Sequence, residues 1–73
     1  MNTVDVLIHI TPTLDDEARQ STASAIEALP GVSAAYFKKP HLMLARYDHR
    51  ARAARELLHA VQRQGLEAQL VGL

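Results

Sequence analysis

Val4, Val6, Ile8 and Ile10 alternate with Asp5, Leu7, His9 and Thr11. A period of two with β-branched residues on one side predicts a half-buried strand. Thr11-Pro12-Thr13 ends it, because proline cannot donate to a strand ladder. Thr13 is then the expected cap of a first helix, with Asp15, Asp16 and Glu17 in the first turn, where the helix dipole favours negative charge. Ala18, Thr22, Ala25, Ile26 and Leu29 recur at helical spacing, and Leu29-Pro30-Gly31 closes the helix. Val32 to Phe37 and Leu42 to Tyr47 follow as two strands around a Lys38-Lys39-Pro40-His41 turn. Asp48 is the expected cap of a second helix running to about Gln64, with Leu57, Leu58 and Val61 inward and Arg50, Arg52, Arg55 and Arg63 toward water. Gly65 suits the residue just past its end, and Leu66 to Leu73 completes a last short strand.

The element order is therefore β-α-β-β-α-β. Two right-handed crossovers joined by a hairpin predict an α+β, ferredoxin-like sandwich. Its antiparallel sheet has the order 4-1-3-2, with both helices on one face. Many unrelated functions use this plan, so the fold does not decide the role.

Composition narrows the choice. The chain has 73 residues and equal numbers of acidic and basic side chains, eight of each. It reads as one domain over residues 1–73, with no basic excess for nonspecific nucleic-acid binding. Hydrophobic residues make up 48%, but twelve of them are alanine, so the core is expected to be thin. No apolar run approaches the roughly 18 residues of a membrane span, and no signal peptide is recognisable; a cytoplasmic location without membrane insertion is expected. There is no cysteine, which excludes disulfides, thiolate metal sites and a cysteine nucleophile.

Leu29-Pro30-Gly31-Val32, after the Ala/Ile-striped helix, resembles the segment leading into the second strand of heavy-metal-associated domains. Leu57-Leu58-His59-Ala60-Val61, with Gly65 four residues beyond Val61, is similar to that family's second helix and the glycine that ends it. The resemblance spans nearly the whole chain and rests mostly on fold-bearing positions. It implies the fold and a metal-handling context. The family's chemistry resides in a Gly-Met-x-Cys-x-x-Cys loop after the first strand. At the family's spacing from Pro30 the two cysteines fall on Asp15 and Ala18, while Pro12 and Thr13 stand at the glycine and methionine. Two thiolates in near-linear geometry select the soft ion Cu(I); an aspartate and an alanine do not. The chain thus resembles a cysteine-less relative from which the known mechanism has been removed.

Other users of the plan fit less well. RNA-recognition sheets need aromatics on the central strands, and the first strand has none. Thr11-Pro12-Thr13-Leu14 is not a glycine-rich ligand loop, and no P-loop, dinucleotide or EF-hand spacing occurs. No Ser-His-Asp order or paired-carboxylate arrangement supports catalysis, so no enzyme activity is expected.

Two constellations carry functional expectations. His9, Asp15 and His41 fall at one end of the predicted topology and together offer imidazole and carboxylate to Zn(II), Ni(II) or Cu(II). The plainer reading is two separate surface histidines and ordinary first-turn charge. His49 and His59 are expected to face solvent near the second helix. Secondly, the strands around the hairpin are apolar on both parities: Ala34, Ala35, Tyr36 and Phe37, then Leu42, Met43, Leu44 and Ala45. A sheet covered on one side should alternate. Whichever parity faces the helices, Leu7 with Leu42 and Leu44, or with Phe37 and Met43, is left on the open face.

The leading expectation is a non-catalytic interaction module with no cofactor. It would form a homodimer or dock on a protein partner through this face. A divalent-metal carrier is the alternative. Lys38, Lys39, Arg46, Arg50, Arg52 and Arg55 read as solvated surface.

Overall fold

A computed structural model of the chain describes residues 2–71. It has six elements: β1 (Thr3–Ile10), α1 (Asp16–Glu27), β2 (Val32–Lys39), β3 (Leu42–Asp48), α2 (Ala54–Gln62) and β4 (Ala68–Val71). The strands form one antiparallel sheet in the order β2-β3-β1-β4, the expected order read from the other edge. α1 packs over β2 and α2 over β4. The βαββαβ plan is therefore realised. The end of the last expected strand, residues 72 and 73, lies outside the described residues.

Strand alternation decides which side chains the helices cover. Val6, Ile8 and Ile10 of β1 are buried, as are Met43, Ala45 and Tyr47 of β3. Ile26 of α1 and Leu57 and Val61 of α2 close over them, all without exposure. Burying a side chain of this size contributes roughly 1.5–3 kcal/mol. Ala35 and Phe37 of β2 and Ala68 and Leu70 of β4 extend the same layer. Thr22 is the one buried polar residue among the described residues, on the inner face of α1 beside Ile26. Ala25, expected in that stripe, is exposed.

Both helix starts lie further along the chain than their expected caps. The cap of α1 is Asp15, not Thr13: its carboxylate accepts from the Ala18 amide at 2.8 Å. Arg19 holds Leu14 in the loop by donating to its carbonyl, at 2.6 Å. Asp48 caps a turn instead of a helix, accepting from the Arg50 amide at 2.9 Å, while its carbonyl takes the Ala51 and Arg52 amides. α2 begins beyond that turn, where Glu56 reaches back to the Ala53 amide at 2.7 Å. Gly31, at φ +89°, turns the chain between α1 and β2 in the left-handed region. Lys38 and Lys39 end β2, so the hairpin turn is only Pro40-His41.

Candidate functional site

The loop between β1 and α1 occupies the place of the resembled family's metal loop. Here it is held by its own side chains. The two positions where thiolates would stand, Asp15 and Ala18, are joined to each other by the helix-capping hydrogen bond. Asp16 forms an ion pair with Arg19 one turn on. The Asp15 carboxylate thus satisfies an amide that the helix cannot.

His9 and His41 meet beside this loop. Their rings lie 5.9 Å apart, centroid to centroid, and are stacked within 18° of parallel. His41 is fixed by the backbone of β1: the Ile10 amide donates to its carbonyl at 2.9 Å, and its own Nδ1 donates to the Ile10 carbonyl at 2.8 Å. A carbonyl can only accept, so Nδ1 carries a proton, and the tautomer this selects for a neutral ring has its lone pair at Nε2. The Thr13 hydroxyl lies 3.5 Å from that Nε2. Nδ1 of His9 is buried and has no hydrogen-bond partner among the described residues.

Of the expected triad the structure brings together His9 and His41. No group of three His, Asp or Glu residues placed to share an ion occurs among the described residues. Asp15 is engaged as the cap of α1. Thr13 and the Ile10 carbonyl, which complete the surroundings of His41, were not among the expected residues, because only the folded register brings them there. His49 and His59 are exposed, as expected.

The face of the sheet away from the helices carries the second constellation. Register places Tyr36 beside Leu44, Leu44 beside Leu7, and Leu7 beside Val71. One apolar row therefore crosses all four strands. Tyr36 is 47% exposed and Leu44 only 7%, so the row is most open at the β2 edge and tightest at its centre. Leu42 lies one row on, next to His9. Phe37 and Met43 are corrected out of this surface. They pair with each other, and Met43 with the inward-facing Ile8, so both lie on the helix side, and Met43 has no exposure. Tyr36 takes the place expected of Phe37; a run apolar on both parities gave no means of choosing between them.

Asp5 and Arg46 flank the row on the other side, paired at 2.8 Å with both side chains about half exposed. The hydrogen bond from Arg46, assisted by its charge and that of Lys38, holds the Asp5 carboxyl below its ordinary range. The same hydrogen bond and the Asp5 charge raise Arg46. Two further arginines are tied locally: Arg50 to Asp48 at 3.6 Å, and Arg52 to the Pro30 carbonyl at 2.6 Å and Glu56 at 3.7 Å. They make a solvated surface, not a concentrated basic patch. No helix among the described residues is long and apolar enough to cross a membrane.

No family model matches the chain, and no curated protein matches it. Solved structures match it throughout. Oxidized MerP from Ralstonia metallidurans CH34 superposes with a TM-score of 0.85 at 15% identity, covering 96% of this chain and 99% of that one. The N-terminal domain of a potential copper-translocating P-type ATPase from Bacillus subtilis, solved in its Cu(I)-loaded state, gives 0.85 at 17% identity, covering 96% and 89%. The CopZ metallochaperone gives 0.79 at 17% identity, covering 93% and 100%. The chain has the fold of heavy-metal-associated domains, built on a sequence with no cysteine.

Proposed function

We propose that this chain is a non-catalytic binding domain that works through its open sheet face, first of all by associating with a second copy of itself. The apolar row Tyr36–Leu44–Leu7–Val71 carries the reading, since it lies on the face the helices do not cover and opens to solvent at Tyr36. The neighbouring structures are metal-binding domains and a metallochaperone, which is consistent with a binding role and no catalysis. In place of a thiolate pair, this chain has a carboxylate bound to its own helix. A cytoplasmic location is part of the reading.

A two-fold axis along the row returns the row onto itself, which is the self-complementarity an isologous interface requires. Four strands about 4.8 Å apart and some five residues long give a footprint of about 20 × 17 Å per copy. That is smaller than the standard stable interface, so the expected dimer is weak and concentration-dependent. β2 ends in Lys38 and Lys39, which discourages the alternative of edge-to-edge pairing.

Sedimentation velocity across a concentration series tests this. Wild type should shift toward dimer from micromolar to millimolar concentration, and Tyr36→Glu, on an exposed edge position, should remain a folded monomer. A wild-type chain that is monomeric throughout, with no concentration-dependent amide shifts on the open face, overturns the reading.

A further inference from the structure

The geometry points to a two-imidazole site for a divalent transition-metal ion at His9 and His41, which goes beyond the sheet-face reading and does not depend on it. Three observations of this chain carry it. The first is proximity: β1 and the hairpin turn place two imidazoles 5.9 Å apart at the surface end of the sheet. The second is the state of His41. A histidine that ligates through one nitrogen is commonly oriented by donating its other N–H to a carbonyl or carboxylate. His41 makes such a bond, Nδ1 to the Ile10 carbonyl at 2.8 Å, which leaves Nε2 as the lone-pair donor. Among the described residues its one hydrogen-bond partner is the Thr13 hydroxyl at 3.5 Å, the outer limit of a hydrogen bond. The third is the state of His9, whose Nδ1 is buried and unpartnered among the described residues, a cost a native structure seldom bears without a reason.

The stacked arrangement also says which ring must move. Rings 18° from parallel direct their in-plane lone pairs side by side and not at one point. His41 is anchored to Ile10, so the His9 ring turns, about a terminal torsion that is soft and two-fold. Its Nδ1 breaks no hydrogen bond in doing so. With no group of three His, Asp or Glu residues placed to share an ion among the described residues, the other coordination positions go to water. Two neutral nitrogen ligands and no carboxylate suit Cu(II), Ni(II) or Zn(II) and disfavour Mg(II), Ca(II) and Mn(II). Affinity should rank with Cu(II) ahead of Ni(II) and Zn(II).

The four histidines supply their own control. In a Zn(II) titration followed by imidazole nitrogen NMR, one equivalent should move the ring nitrogens of His9 and His41 and leave those of His49 and His59 in place. His41→Asn can retain an N–H directed at the Ile10 carbonyl but has no Nε2, so it should lose at least tenfold in Zn(II) affinity without unfolding. His9→Ala should lose as much, and His59→Ala nothing. Equal response of all four rings, no response at one equivalent, or wild-type affinity in folded His41→Asn or His9→Ala overturns the site.

Discussion

Replacing Asp15 with alanine removes the hydrogen bond that starts α1. Its carboxylate accepts from the Ala18 amide at 2.8 Å, and without it that amide has no intrahelical acceptor. Loss of an N-cap costs about 1 kcal/mol, within a range of 0.5–2. The charge itself adds little here, since Asp16 and Glu17 also occupy the first turn and still face the dipole. The two contributions separate cleanly: Asp15→Asn keeps the acceptor and loses only the charge, so it should sit within a few tenths of a kcal/mol of wild type. In a domain of this size 1 kcal/mol moves the melting midpoint by about 4–8 °C. Thermal unfolding followed by circular dichroism at neutral pH should therefore rank wild type and Asn together, with Ala several degrees below. If Ala melts with wild type, or Asn falls as far as Ala, the carboxylate is not working as a cap.

Four further outcomes are expected. Met43→Ala should cost about 2–5 kcal/mol in denaturant unfolding, because Met43 has no exposure between the sheet and the helices; a loss below 1 kcal/mol would contradict its inward assignment. Gly31→Ala should cost more than Gly65→Ala. Both glycines have positive φ, but a Cβ at Gly31 meets Ala51 Cβ at 3.1 Å and one at Gly65 meets open space, so equal melting shifts would refute the packing difference. The Asp5 carboxyl is depressed in the folded state by the Arg46 hydrogen bond, so its contribution is present above the ordinary carboxylate range and is lost as pH falls through the lower folded value. Arg46→Gln should flatten that part of the acid limb in melts from pH 5 to pH 2, and an unchanged slope would show that the pair contributes nothing. Finally, the chain should take no Cu(I) from a chelator: its only sulfur atoms belong to Met1 and Met43, and Met43 is enclosed in the core. Stoichiometric transfer would contradict this.

The elements and the sheet order were legible because they depend on repetition. Val4, Val6, Ile8 and Ile10 repeat at two, and Leu57, Leu58 and Val61 at helical spacing, so one ambiguous residue does not alter the reading. Helix starts depend on single competitions and are less legible. Thr13, Asp15 and Asp16 can all cap, and the Arg19 bond to the Leu14 carbonyl leaves Asp15 at the boundary. Asp48 has the chemistry of a cap but uses it on the Arg50 amide, five residues before Ala53. Parity in β2 and β3 could not be read, since Ala34 to Phe37 and Leu42 to Ala45 are apolar on both sides; the register with β1 decides it. The pairing of His9 with His41 was legible as a shared end of the sheet, but the tautomer of His41 and the unpartnered nitrogen of His9 exist only in three dimensions.

This difference between pattern and point explains how a chain only 15–17% identical to MerP, the Bacillus subtilis ATPase domain and CopZ superposes on them so closely. A sheet and two helices require apolar residues at the right period and turns at the right places, and many sequences supply both. A thiolate site requires sulfur at two particular positions, and substitution there removes the chemistry at a stroke. In this chain Asp15 and Ala18 serve the fold. The Asp15 carboxylate accepts the Ala18 amide, and this hydrogen bond starts α1. Among the described residues, Nδ1 of His9 beside His41 still lacks a partner and the apolar row on the sheet opens to solvent at Tyr36, and these are the places at which binding is proposed.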